Sequence, residues 1–285
     1  MNTMSSGADI VPPAARGGPA FGMPPTATGL VAVQRGDLPL LVFARLAVQA
    51  GLIHAVTTRK RGGLGSPHHG LNLARTGDDP PEAVAANRRR LQRVLSPGRL
   101  VFSRQVHGTD VAAIQSPVET VDFPVVATAD AMVTDQPGLL LTILVADCQA
   151  VMMFDPRRRV VANVHSGWRG SIANVIGATV KVMQRTFGCR PSDILAGVGP
   201  SLGPCCAEFR NYRREIPRAL WTYRVSDHHF DFWSLSRDQL TAAGLGADRI
   251  VLGQICTRCH PERFYSYRAG DRSGRFAAVI GMPSG

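Results

Sequence analysis

The run Leu139 to Val145, LLLTILV, constrains this chain more than any other stretch. Seven residues without a charge and without alternation read as a strand buried on both faces, which requires further layers above and below it. Two more apolar runs, QAVMMF and VVANV, follow almost at once, separated by DPRRR, a turn between two strands. A helical pattern comes next. Ile172, Val175, Ile176, Thr179, Val180, Met183 and Phe187 share one face, and Gly188 ends it. Elsewhere LIHAVTT, Leu100 to Ser103, ILAGVG, RIVLGQI, FYSYR and RFAAVIGM read as strands. Helices are expected over DDPPEAVAANRRRLQRVL, around Glu208 to Tyr223, and from Leu235 to Ala243. Asp79 and Glu82 suit a capping box for the first of these, with Pro80 and Pro81 in its opening turn. Interleaved strands and helices predict a layered α/β sandwich around a mixed β-sheet, mixed because some strands join by tight turns. No linker interrupts it, so a single domain over residues 30–285 is expected. Before it, residues 1–29 are rich in Pro, Gly, Ala and Ser and read as a disordered tail.

Composition narrows the function classes. With 45% hydrophobic and 19% charged residues the chain reads as soluble and globular. Its longest apolar run, Gly138 to Ala146, is too short to span a bilayer, so no membrane partner is expected. No charged segment leads into an apolar one near the start, so no signal peptide is expected. The net charge of +11 comes almost wholly from arginines, with Lys60 and Lys181 the only lysines. These arginines are scattered in short clusters, which favours a solvated surface over a nucleic-acid partner and leaves a field for anionic substrates as the alternative. The six cysteines, with no secretory signal, point to a reducing compartment, the cytoplasm.

Three apolar runs end in reactive side chains. RQVHG places His107 just past a strand, VADC places Asp147 and Cys148 at the end of the most buried one, and VHSGWRGS places His165 at the end of another. In the last motif Gly167 and Gly170 suit a tight strand-to-helix turn. The helix start beyond them, with Arg169, could hold an anion such as phosphate. Two His and one Cys converging from three strand ends suit Zn²⁺ with an open fourth position. The same set suits a Cys nucleophile with a His base, or a copper centre of the two-His-one-Cys type. Spacing does not choose among these. In CTRCH the C-x-x-C lacks a correctly spaced second pair, because Cys205 and Cys206 are adjacent, and buried inert thiols are expected there. Asp78 and Asp79 read as helix-capping residues, and the His68–His69 and His228–His229 pairs as loop or surface residues.

The motifs TTRKRGG, LNLARTGDDP, RQVHGTDV, ATADAMVT, VADCQAV, VHSGWRGS, GVGPSLGPCC and ICTRCHPERFYSYRAGDRSGRFAAV stand in the order of the laccase-domain polyphenol-oxidase family. The chain resembles that family from about Leu52 to Ile280. The resemblance implies an α/β sandwich around a mixed sheet and the activity of purine nucleoside phosphorylases with adenosine deaminase activity. It implies that His107, Cys148 and His165 form the active-site metal cluster, holding zinc or, as the older family name suggests, copper. It also implies that Arg59, Asn72 and Arg169 bind phosphate and nucleoside, and that Asp147, a near neighbour, is catalytic together with His107, Cys148 and His165. Substrates would be adenosine, inosine, guanosine or methylthioadenosine together with phosphate. Two departures stand out: Ser166 replaces the commoner Ala, and the loop after Asn72 lacks the His that many relatives carry before GDD. The alternative is a copper-dependent polyphenol oxidoreductase, yet none of the eight His residues forms the His-x-His pairs of a multicopper centre. A Cys/His amidase is a further family-level reading.

Overall fold

The computed structural model describes residues 29–60, 70–75, 79–116, 118, 121–270 and 274–284. The tail expected over residues 1–29 lies, apart from Gly29, outside the described residues, as do Asp78, His68 and His69.

The strands are β1 (Leu30–Arg35), β2 (Leu38–Phe43), β3 (Ile53–Thr57), β4 (Arg99–Arg104), β5 (Val111–Ile114), β6 (Val125–Thr128) and β7 (Ala131–Thr134). They continue as β8 (Leu139–Val145), β9 (Gln149–Asp155), β10 (Val160–Ser166), β11 (Leu195–Val198), β12 (Ile250–Leu252) and β13 (Phe276–Gly281). The helices are α1 (Ala44–Ala47), α2 (Pro81–Val94), α3 (Trp168–Ile172), α4 (Val175–Phe187), α5 (Tyr212–Glu215) and α6 (Phe232–Ala242). The mixed β-sheet expected from the sequence is present as two mixed sheets. One has the order β1-β2-β3-β13-β8-β4-β6, the other β12-β11-β9-β10-β7-β5. Both combine antiparallel pairs with parallel ones, such as β4 on β8 and β11 on β12.

Strand alternation explains the layers. Along β8, Leu139, Leu141, Ile143 and Val145 join a core shared with Met152 and Phe154 of β9 and Val161 of β10. The intervening Leu140 and Leu144 face the other way, into a core with Leu91 and Leu95 at the end of α2. β8 is thus buried on both faces, and its unbroken apolarity is the expected signature of that position. On the far side of the second sheet, Val160, Ala162 and Val164 of β10 pack with Ile176, Val180 and Met183 of α4. The order is helix, sheet, sheet, helix. Asn163 fastens the two sheets, its side-chain amide donating to the carbonyls of Leu141 and Ala278 at 2.8 and 2.9 Å.

Local chemistry revises several expectations. The DPRRR turn is made by Asp155, whose carboxylate accepts from the N–H groups of Arg157 and Arg158 at 2.8 and 3.0 Å. The long helix expected after HSGWRGS is two helices. Asn174 lies between them in the left-handed region (φ 61°), and its Oδ1 caps the start of α4 by accepting from Gly177 N–H. FYSYR is not a strand: Phe264 and Tyr265 are fully buried, so packing into the core decides the local conformation. The cap position of α2 falls on Pro80, and Asp79 instead accepts a hydrogen bond from Asn72 at 2.7 Å. Among the described residues, no helix is long and apolar enough to cross a membrane.

Candidate active site

β8 belongs to one sheet and β9 to the other, so the chain must cross between sheets within Ala146, Asp147 and Cys148. Asp147 adopts φ 81°, in the left-handed region that a non-glycine residue occupies only when its surroundings hold it there. Both carboxylate oxygens supply that hold. Oδ1 accepts from Thr257 Oγ1–H at 2.6 Å, and Oδ2 accepts from the N–H of Arg268 at 2.7 Å. Its carbonyl accepts from Leu202 N–H at 2.9 Å. The crossover presents Cys148 at the end of the sandwich.

His165 sits near the end of β10, and His107 in the loop after β4 with φ 61°. The three residues predicted to converge do so. Donor atoms of His107, Cys148 and His165 all lie within 4.8 Å of one another. Cys148 Sγ is 3.9 Å from His107 Nε2, and the two imidazoles stand edge to face at 4.8 Å. Two donors on one tetrahedral zinc are about 3.5 Å apart, so the set needs only a small contraction to share an ion.

Asp130, between β6 and β7, organises this group, and sequence reasoning missed it. It is wholly buried and accepts from His165 Nδ1 at 2.7 Å. It also accepts from the N–H groups of Val106, His107 and Gly108 at 3.2, 2.9 and 2.7 Å. One carboxylate thereby fixes the loop that carries His107 and the ring of His165. With Nδ1–H directed at Asp130, a neutral His165 ring carries its lone pair on Nε2, the arrangement usual for a metal-binding histidine. Burial pushes the Asp130 carboxyl up, but His165 and the backbone donors outweigh that and hold it below its ordinary range. Burial likewise disfavours the His165 cation, yet hydrogen bonds and charge from Asp130 and Cys148 raise its pKa to about 9. Burial also pushes the Cys148 thiol up, and the two histidines more than reverse it, bringing it down to about 6. Without metal the pair is thiolate and imidazolium. With metal, the same thiolate and a neutral ring are the donors that zinc or copper requires. The donor set fits such an ion.

The two glycines of HSGWRGS serve by their size. Gly167 has an ordinary φ of −71°, but a Cβ there would come within 2.7 Å of His107 Cδ2 and 3.2 Å of Cys148 Sγ. A Cβ on Gly170 would meet the carbonyl of Gly108 at 3.2 Å. Ser166, the departure noted above, pairs with Ser171 at 2.9 Å across the turn. The helix that starts here, α3, is only five residues long, so the anion site expected at a long helix terminus is not built in that form.

The cluster lines a cavity of about 630 Å³, within the size range of small-molecule sites. Trp168, Phe209, Phe232 and Tyr267 give it aromatic walls, and Arg75, Arg169, Arg268 and Arg275 give it cations. Arg169 also stacks over Trp168 at 4.3 Å. Asn72 is fully buried beside the cavity, where its Oδ1 accepts from the N–H groups of Ala74 and Arg275, both cavity-lining. Arg59 is outside the lining: it donates to the Pro261 carbonyl at 3.1 Å and lies over the Tyr265 ring at 4.7 Å. Gln105, the Gln of QVHG, was also overlooked. Its amide makes two hydrogen bonds to the backbone of Leu144 at 2.8 and 3.0 Å, tying the His107 loop to β8.

The sequence model of the family described as multi-copper polyphenol oxidoreductase laccase matches residues 53–283. A purine nucleoside phosphorylase of Deinococcus radiodurans is 37% identical over 257 residues, covering 86% of this chain and 94% of that protein. The purine nucleoside phosphorylase YlmD of Geobacillus stearothermophilus is 32% identical over 250 residues, covering 81% and 90%. The crystal structure of YlmD from Geobacillus stearothermophilus superposes with a TM-score of 0.76 at 29% identity, covering 90% of this chain and all of that one.

Proposed function

The chain belongs to the multi-copper polyphenol oxidoreductase laccase family, and from that premise we propose that it is a purine nucleoside phosphorylase with adenosine deaminase activity. The observation that carries the reading is the placement of His107, Cys148 and His165 in the wall of a cavity that also presents four arginines and four aromatic rings. The names of its relatives support the substrate class. Adenosine, inosine, guanosine or methylthioadenosine would enter with phosphate and leave as free base and sugar-1-phosphate.

In this reading the purine lies against Trp168, Phe209 and Phe232, where base-on-aromatic contact is tolerant of substituents. Arg169, Arg75, Arg268 and Arg275 neutralise phosphate and bring it to C1′ of the sugar. Catalysis then rests mainly on positioning the anion and stabilising negative charge on the departing purine. Asn72 acts by holding Arg275. Arg59 acts by packing on Tyr265, and Asp147 by bracing the crossover. Both oxygens of Asp147 accept hydrogen bonds from the chain, so it is a positioning residue. His107, Cys148 and His165 would hold zinc, with Asp130 orienting His165. When bound there, zinc supplies Lewis acidity at the purine edge, chemistry useful both for base departure and for loss of a 6-amino group.

Incubation of purified protein with adenosine and phosphate, followed by chromatography, tests the reading. Phosphate-dependent release of adenine supports phosphorolysis, and inosine formation supports deamination. Absence of phosphate-dependent base release, with Cys148→Ala indistinguishable from wild type, would overturn it. The two-His-one-Cys donor set also favours a second reading, a single copper oxidising phenols. Copper content together with oxygen uptake on a phenol distinguishes that activity.

A further inference from the structure

The thiols expected to be buried and inert are instead gathered. Cys205 and Cys206 come from the turn after β11, Cys256 and Cys259 from the turn after β12, and all four sulfurs lie within 4.8 Å of one another. Cys259 Sγ is 3.6 Å from both Cys205 Sγ and Cys206 Sγ. These are not disulfides, which have sulfurs about 2 Å apart. They match the sulfur–sulfur span of about 3.8 Å on a tetrahedral zinc with thiolate bonds of about 2.3 Å.

The flaw in the spacing argument is local. Cys206 N–H and Ala207 N–H both return to the Gly203 carbonyl at 2.9 Å, a turn tight enough to bring two adjacent cysteines to one partner. The partner turn is docked in register. Ser201 bridges to Cys256, with Ser201 N–H donating to Ile255 and Thr257 N–H to Ser201 at 3.1 and 3.0 Å. Gly203 permits the approach, since a Cβ there would come within 3.1 Å of Cys256 Cβ. Cys205 and Cys259 are exposed while Cys206 and Cys256 are buried, so an ion can arrive from solvent and be closed in by the inner pair.

We infer that Cys205, Cys206, Cys256 and Cys259 form a tetrathiolate site for Zn²⁺, separate from the His107–Cys148–His165 group. Four sulfur donors in tetrahedral reach select a borderline-soft ion and leave no open position, so the site is structural. Binding releases the thiol protons to solvent and clamps two turns whose neighbours, Leu202, Ala207 and Arg268, line the cavity. Arg268 is fixed to the same turn, donating to the Glu208 carbonyl at 2.9 Å.

The test is the metal content of full-length protein purified under reducing conditions without added metal. Cys148→Ala should retain one zinc per chain and the double variant Cys148→Ala/Cys259→Ser should have none. That comparison is independent of whether the histidine cluster binds an ion or the enzyme reading holds. Because a cysteine variant could misfold, chelator-stripped Cys148→Ala should also be titrated with Co²⁺. Intense thiolate-to-cobalt charge transfer with tetrahedral d–d bands is expected. Zinc equal in the two variants, iron in its place, a cobalt complex without thiolate bands, or a disulfide at these positions in the reduced protein would each overturn the proposal.

Discussion

His107, Cys148 and His165 stand at or beside the ends of strands locked into two packed sheets, whereas the four clustered cysteines stand on two turns. In the first group the geometry exists before any ligand arrives, because Asp130 holds one ring and the backbone of the other. In the second, backbone hydrogen bonds and the contact of Thr257 with Asp147 hold the turns, and a bound ion would itself draw the four sulfurs together. A three-donor cluster opening on a cavity suits exchange of ligands, and a closed four-donor cluster suits permanence. Rigidity in this molecule is therefore invested where chemistry is proposed.

The comparison breaks most visibly at Cys148. Cys148→Ala should lower kcat/KM for phosphate-dependent base release by more than ~100-fold, exceeding the effect typical of an outer-shell partner. An unchanged kcat/KM would remove the functional distinction between the clusters. Asp130→Asn should lower kcat/KM by ~10–100-fold and lower the pKa of His165, read as a displaced imidazole titration by NMR. Gly167→Ala should weaken metal retention at the histidine cluster by ~10-fold and cost about 1–3 kcal/mol in denaturant unfolding, because its Cβ would displace His107 or Cys148. Zinc at the four-cysteine cluster should be unaffected.

A pH dependence sharpens the contrast in metal-free protein. Lowering of the Cys148 pKa to about 6 contributes stability that is present above the ordinary thiol range and is lost as pH falls through about 6. Raising of the His165 pKa to about 9 contributes stability that is fully present below its ordinary value and is lost as pH rises through about 9. Between about pH 6.5 and 9 the two contributions change in opposite directions and nearly cancel, so melting temperature should stay almost level there, and Cys148→Ala should replace that plateau with a decline as pH rises. Iodoacetamide at pH 7 should alkylate Cys148 ahead of Cys205 and Cys206, whose thiols are pushed up first by burial and then by neighbouring cysteines. The smallest effect is expected for Asp147→Asn, a few-fold rise in KM with kcat nearly constant, since the carboxylate braces loops from outside the chemistry.

Much of this site was legible because polar residues ending an uncharged run need a reason to be there. His107, Cys148 and His165 each close such a run, and each reaches the common cluster. Asp130 carries no comparable mark. It is one acid in ATADAMVT, and its four donors come from Val106 to Gly108 and from His165, so only the fold assembles them. The four-cysteine cluster was hidden for a different reason. Knuckle spacing assumes one type of turn, and the Gly203 turn is another. Of the fold, β8 was readable on both faces, and the β9–β10 turn was marked by its Asp. FYSYR was misread because β-rich composition describes buried irregular chain equally well. The division into two sheets was not legible, because the apolar runs of β8, β9 and β10 follow one another without recording where the chain changes layer.

Asp147 precedes Cys148, Thr257 follows Cys256, and their side chains share a hydrogen bond of 2.6 Å. That bond joins the crossover carrying Cys148 to the turn carrying Cys256. If an ion on the cysteine turns lowers the ordering cost of the crossover, linkage requires occupancy of the cavity to strengthen retention of that ion by the same factor. Nucleoside affinity would then track the free zinc concentration through an ion that never touches the substrate.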